Sequence, residues 1–478
     1  MPRRTKIVAT IGPACDSREA LVALIDAGVD VVRLGFAHGS VAQHLETLAK
    51  VRAAAADCGR IVGILADLPG PKVRTGPFPI GSGSLLEVGH RVTLVPGEGP
   101  SGPDTVSVDY PSLLDDLSPG DRVSLGDGAV VIGVEQVTGS GAIALVHNGG
   151  WLKGRPGVHL PAERMRVSSP TAADLGLLAA IAESSVDMVA ISFVQTASDI
   201  QRARDAAGAG GPMIVAKIET RPAIDNLNEI IDAADAVMIA RGDLGVEFPI
   251  EEVPHLQKHI IRTCVAWGRP VITATQMLES MVYAPTPTRA EASDIANAVF
   301  DGADALMLSA ETAIGHDPVG AVRTMARIAT RAEKEADYVQ WGGRLGKLQR
   351  LEQLPGSLAI SAATSMAAWQ LALSVEAAAI LCCTRSGATA RAIARFRPTA
   401  PLVALSPVPA TARQLTLTWG LLPVTVPEHG TTDEIVWFAV ERAVEMGLVR
   451  QGETVVVLSG NPADPDPVSD DVRVVRVR

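Results

Sequence analysis

Short apolar runs rich in Val, Ile and Leu recur along the first two thirds of the chain: Lys6–Ile11, Val29–Leu34, Ile61–Ala66, Asp187–Phe193, Met213–Lys217, Ala236–Ala240, Pro270–Thr275 and Ala305–Ser309. Stretches with apolar positions at helical spacing lie between them, among them Arg18–Ala27, Val41–Ala56, Ile250–Trp267 and Thr288–Phe300. Near-continuous apolar runs suit strands buried on both faces, and strands alternating with helices suit a parallel sheet. Eight such units predict a (β/α)8 TIM barrel with its working residues at the C-terminal strand ends. A doubly wound open sheet is the alternative the same alternation allows.

One connection breaks the rhythm. Residues 72–167 are rich in Gly, Pro and Val and alternate with period two over Val130–Val137 and Ala142–Val146. This predicts an inserted all-β domain, 72–164, in which Gly81-Ser82-Gly83 is a turn; on the active-site face of a barrel it is placed to act as a lid. The barrel then comprises 1–71 and 165–340. Beyond Tyr338 the repeats stop, and Trp341–Pro355 reads as including a linker. Strand-like runs Ala377–Thr384, Pro401–Leu405, Leu421–Val426 and Thr454–Ser459 alternate with helical stretches, predicting a separate α/β domain over 341–478.

Composition narrows the class. Aromatic residues are only 3% of the 478, so the core must be built from aliphatic side chains. The net charge of −11, with no basic tract to offset it, argues against nucleic-acid binding. The five cysteines, Cys15, Cys58, Cys264, Cys382 and Cys383, form no CxxC pair and read as reduced structural thiols, which favours a cytoplasmic location. The basic start, Met1 to Lys6, has no apolar region behind it, and no run approaches the length of a membrane span, so neither a signal peptide nor a membrane partner is expected.

The chemistry gathers at strand ends. Arg33 closes the second run and Asp67 the third; Lys217 and Glu219 close the fifth, and Asp243 follows the sixth. Thr275 and Gln276 end the seventh, and Ser309 and Glu311 the eighth. Two carboxylates from neighbouring strands suit an oxygen-preferring cation such as Mg2+. A lysine beside them suits a phosphate or a developing oxyanion. The grouping predicts metal-assisted chemistry on an anionic substrate.

Nearly the whole chain resembles pyruvate kinase. The resemblance is carried by Thr5–Ala14, Lys217-Ile218-Glu219, Ala240-Arg241-Gly242-Asp243-Leu244-Gly245, Ala274–Ser280, Pro287–Glu291 and Asp294–Thr312. It implies a (β/α)8 barrel with an inserted β-barrel lid domain and a C-terminal α/β domain, assembled as a homotetramer. It implies phosphoryl transfer from phosphoenolpyruvate to ADP, giving pyruvate and ATP, with Mg2+, or Mn2+ in its place, on Glu219 and Asp243. Lys217 would stabilise the transferring phosphoryl group, and Arg33 would hold it with Arg74 nearby. Backbone N–H groups around Ala240, Gly242 and Asp243 would receive the substrate carboxylate. Thr275 would belong to the proton path to the enolate carbon; its bland alternative is a strand-end hydroxyl bonded to backbone. His38, Arg74 and Arg155 would face the nucleotide, with a structural role the alternative for His38.

Several positions depart from the family's pattern. Potassium-dependent members carry Asn, Ser and an Asp-Thr pair where this chain has Gly35, Ala37, Asp67 and Leu68, and a Glu where it has Lys72. The expectation is that no K+ is required, with the Lys72 ammonium replacing the cation and pairing with Asp67; the alternative is a solvated loop lysine beside a degraded site. Pro156 replaces one of two basic residues in the lid segment Lys153–Pro161. In the C-terminal domain Thr384, Arg385, Ser386, Gly387 and Thr389 sit between a strand and a helix and form a candidate cradle for a phosphorylated effector, or a plain structural turn. Two competing functions remain: a barrel lyase acting on pyruvate enolate, and a non-catalytic relative.

Overall fold

A computed structural model describes residues 3–37, 39–126, 128–160, 169–348, 356–462 and 469–478. Eight parallel strands close into a barrel: β1 (Lys6–Thr10), β2 (Val31–Gly35), β3 (Gly63–Asp67), β4 (Met188–Ile191), β5 (Met213–Ile218), β6 (Ala236–Ala240), β7 (Val271–Ala274) and β8 (Ala305–Leu308). Each strand pairs with its neighbours in sequence order, and β8 returns to β1, so the open-sheet alternative is excluded. Helices follow the expected bounds closely. Arg18–Ala27 is capped by Ser17, and Arg289–Asp301 starts at Thr288 with a reciprocal capping box to Glu291.

The floor of the barrel repeats one device four times. Asp30, Asp187, Asp235 and Asp304 stand just before the even strands. Each accepts the backbone N–H of a residue on the preceding odd strand: Ile7 (2.9 Å), Ile64 (2.8 Å), Ile214 (2.9 Å) and Val271 (3.1 Å). Each also has an arginine partner: Arg3, Arg52 with Arg413, Arg204 and Arg397 respectively. Arg413 and Arg397 belong to the C-terminal domain, which also sends Leu417 into the apolar cluster that fills the barrel with Val8, Leu65, Met188 and Met238. Gly63 is required beneath it, because a Cβ there would lie 2.5 Å from Thr416 Oγ1.

The inserted domain is a six-stranded sheet with a two-stranded ribbon, Ser84–Leu86 with Gly150–Leu152, around one apolar core. The sheet's edges are Thr105–Val108 and Val158–His159, and the entering chain bridges both, Arg74 to Gly157 and Thr75 to Val108. That bridging closes the sheet on itself and removes its exposed edges. Gly81 lies in a turn, with Gly83 N–H donating to Pro79 O (2.9 Å).

Where a linker was expected, Tyr338–Leu348 forms a helix. Trp341 packs on Gly302 and donates Nε1–H to Arg395 O (3.0 Å), a contact no local pattern reveals. Residues 349–355 lie outside the described part. The C-terminal domain is a five-stranded sheet ordered Leu421–Thr425, Leu402–Ser406, Ala379–Cys383, Thr454–Ser459, Asp471–Arg476. The last strand, not foreseen, pairs antiparallel at the edge. Among the described residues no helix is long and apolar enough to cross a membrane.

Candidate active site

A cavity of about 250 Å3 opens at the C-terminal ends of the strands, between the barrel and the base of the inserted domain. Arg33, Asp67, Lys217, Glu219, Asp243 and Thr275 all line it. The β-strand geometry explains the convergence, because charged residues at the same end of neighbouring strands are brought together when the sheet closes.

Lys217 is the centre of charge. Its Nζ lies 2.8 Å from Glu219 Oε1, 3.5 Å from Asp67 Oδ1 and 2.7 Å from Ser192 Oγ. Burial works against its charge, but Asp67, Glu219 and Asp243 outweigh it and raise its pKa, so it stays an ammonium. Asp67 is buried too, yet Lys217 and Arg33 hold its carboxyl below the usual range; Arg33 Nε donates to Asp67 Oδ2 at 2.7 Å. Arg33 is steadied from its other side by Thr10 Oγ1 (3.1 Å).

Glu219 is pushed up to about 7 by burial, with Asp243 adding to the effect against the pull of Lys217. Its Oε2 accepts the Phe193 N–H (2.6 Å), while the buried Oε1 has no well-directed hydrogen bond despite its ion pair. A buried carboxylate whose Oε1 meets only the Lys217 ammonium, with the Asp243 carboxylate nearby, fits a divalent cation. Among the described residues no three His, Cys, Asp or Glu cluster as a metal cage. The ion's remaining ligands would therefore come from substrate and water, as is usual for Mg2+.

Thr275 is strained. It has φ 68° and Gln276 has φ 54°, a rare conformation for a β-branched residue. Arg241 holds this turn by donating Nη2 to Thr275 O (2.7 Å), and is itself paired with Asp294 (2.7 Å). Glu311, fully buried, ties the same loop to β8 through Leu278 N (3.0 Å) and Ser309 N (2.7 Å). The Thr275 hydroxyl accepts the Gly242 N–H (2.8 Å) and donates to Ala274 O (2.7 Å). It is thus bonded to backbone, and also borders the amides following β6.

Other expected residues fall elsewhere. Lys72 lines the cavity wall but is exposed, and its expected pair with Asp67 is not formed; Asp67 is already enclosed by Arg33 and Lys217. Arg74 and Arg155 meet each other at the base of the inserted domain, Arg74 Nη1 donating to Arg155 O (3.1 Å). Arg155 is paired with Asp109 (3.1 Å) and Glu98 (3.5 Å). His38 lies outside the described residues. Ser192 and Thr10 were missed as site residues, although both sit at strand ends, the signal that found the others.

A second cavity, about 260 Å3, lies in the C-terminal domain against Thr384, Arg385, Ser386 and Thr389, with His429 and Phe438 on its wall. Gly387 takes φ 80° before the helix Ala388–Ala394, and its N–H donates to Thr384 Oγ1 (2.9 Å). Arg385 is paired with Glu428.

A protonated lysine and an arginine facing the same cavity as three carboxylates, Asp67, Glu219 and Asp243, suit transfer of a small anionic group beside a cation, on a barrel of the phosphotransferase kind. Comparison makes this specific. Residues 2–322 match the family described as "Pyruvate kinase, barrel domain", and 362–475 match "Pyruvate kinase, alpha/beta domain". Proteins named "Pyruvate kinase" from Geobacillus stearothermophilus and Clostridium acetobutylicum are 42% and 40% identical to it. The alignments cover 97% of this chain and 78% of the first relative, and 99% of both chains for the second. A third, from Mycobacterium intracellulare, is 40% identical over 97% of the chain and 96% of its own length. The chain belongs to the pyruvate kinase family and is a phosphotransferase.

Proposed function

We propose that this protein transfers the phosphoryl group of phosphoenolpyruvate to ADP with Mg2+, or Mn2+ in its place, and without a K+ requirement. The observation that carries the reading is the half-buried Lys217 ammonium, held between Asp67 and Glu219 on the cavity that Arg33 also lines.

Glu219 and Asp243 would hold the divalent ion, which when bound supplies positive charge to the substrate's carboxylate, enolate and phosphate oxygens. Lys217 neutralises charge on the phosphoryl group as it moves, and Arg33 orients it; such transfer relies on positioning and electrostatics. Amides at Ala240, Gly242 and Asp243 receive the substrate carboxylate, the Gly242 N–H exchanging its bond to the Thr275 hydroxyl for it. The contact of Gly242 with Thr275 supports a place for Thr275 on the proton path beside them, acting through water because a hydroxyl alone is a weak acid.

Arg74 and Arg155 serve the nucleotide phosphates, and His38 its other side; the pairing of Arg155 with Asp109 means the nucleotide competes for it. Lys72 contributes its fixed positive charge from the cavity wall, in place of a monovalent ion. The loop Thr384–Thr389 receives a phosphorylated effector. Membership of the pyruvate kinase family supports assembly into a homotetramer. Five free cysteines, none in a disulfide, support a cytoplasmic location.

The test is pyruvate formation from phosphoenolpyruvate and ADP in buffer free of K+ and Na+, with and without added K+. Full activity that chelation abolishes and Mg2+ restores is the expected result. Activity only with K+ refutes the role of Lys72. Folded protein without turnover, effector candidates included, refutes the kinase reading.

A further inference from the structure

We infer that Ser192 is a positioning residue for the reaction: its hydroxyl fixes where the Lys217 ammonium stands between the carboxylates and the cavity. This rests on the role proposed above for Lys217.

Ser192 follows β4 and is 2% exposed. Its Oγ lies 2.7 Å from Lys217 Nζ and 2.7 Å from Leu68 O. A carbonyl can only accept, so the hydroxyl proton goes to Leu68 and a lone pair faces the ammonium. The polarity of the contact is therefore set: Lys217 donates. The next residue, Phe193, donates its N–H to Glu219 Oε2 (2.6 Å). One turn thus grips both members of the ion pair, Lys217 by a side chain and Glu219 by backbone.

The turn is itself held firmly. Phe193 has φ 54°, and Ser169 donates its hydroxyl to Ser192 O. Gly70, at φ +67°, runs so close that a Cβ there would lie 2.8 Å from Ser192 Cβ. No larger residue fits beside it.

The chemistry of the acceptor matters. Lysine is a compact charge on a flexible four-carbon stem, so its neighbours decide where the charge sits. A further carboxylate in contact would neutralise that charge, whereas a neutral hydroxyl fixes one N–H direction and leaves the charge for the substrate. Without it, both remaining partners are anions, and Asp67, now 3.5 Å away, is the one onto which the ammonium collapses.

The test is Ser192→Ala in the full chain, with saturating ADP and Mg2+. Losing one charge-assisted hydrogen bond predicts a fall in kcat of about ten- to a hundredfold, with KM for phosphoenolpyruvate moving less than about threefold. A cooperative thermal transition shows that the variant is folded, whatever the lost bond to Leu68 O does to its midpoint. In a Lys217→Met background, adding Ser192→Ala changes the residual turnover by less than about twofold, because the group it acts through is gone. Wild-type kcat in Ser192→Ala overturns the inference, as does an equal loss in both backgrounds, which a merely structural serine would give. Near-normal turnover by Lys217→Met alone sinks the reading of Lys217 itself, whatever Ser192 does.

Discussion

Asp304 joins the barrel to the C-terminal domain, and replacing it with Asn isolates that junction. Its Oδ2 accepts the Val271 N–H (3.1 Å), while Oδ1 accepts Trp419 N–H (3.1 Å) and Arg397 Nη1 (3.2 Å). The Arg397 side chain is 2% exposed, and its other partners are Gly302 O (2.5 Å) and the face of Trp419 (4.7 Å). Asn keeps the shape but removes the charge, and presents an NH2 to a donor on one side or the other. A buried guanidinium without its counter-ion costs about 3–5 kcal/mol. For cooperative units of 150–250 residues that lowers Tm by roughly 6–20 °C. Calorimetric melting of Asp304→Asn beside the parent chain measures it. Arg397→Met/Asp304→Asn removes both charges and should recover much of the loss, since no unpaired charge remains. At 25 °C kcat should stay within about twofold, because the junction lies at the barrel end opposite the cavity. A loss under about 1 kcal/mol, or a double variant no more stable than the single one, refutes the claim that the pair holds this seam together.

Lys217→Met should lose about a thousandfold or more in kcat while melting as a folded protein, measured by continuous pyruvate detection; near-normal turnover sinks the assigned mechanism. Lys72→Glu should lower turnover in K+-free buffer, read with and without the added ion; unchanged K+-free activity shows that Lys72 does not stand in for the cation. Asp30 is half-buried, and desolvation works against its charge, but Arg3 and Lys6 hold its carboxyl below the usual range. Its folded pKa is depressed, so its stabilisation is present above about pH 4 and is lost as pH falls through the lower folded value. Urea unfolding from pH 6 down to 2 should therefore fall less steeply in Asp30→Asn, and parallel curves would count against the pairing.

The alternation of apolar and polar residues determined the barrel. Strand positions follow from it to within about two residues, and Ala236–Ala240 and Thr454–Ser459 match as read, because periodicity is a property of consecutive residues. It also determined that Arg33, Lys217, Glu219 and Asp243 share one end of the sheet, since parallel strands put all their C-termini on one side. Partnership was decided only in three dimensions. Asp67 is neutralised by Arg33 and Lys217 rather than by nearby Lys72, because the closed barrel brings a residue 150 positions away closer than a loop five residues on. The same holds for Ser192 beneath Lys217, for Leu417 filling the barrel floor, and for Arg74 and Thr75 closing the inserted sheet. These contacts join segments far apart in the chain. What selects them is the packing and charge balance of the whole fold, which no local pattern encodes.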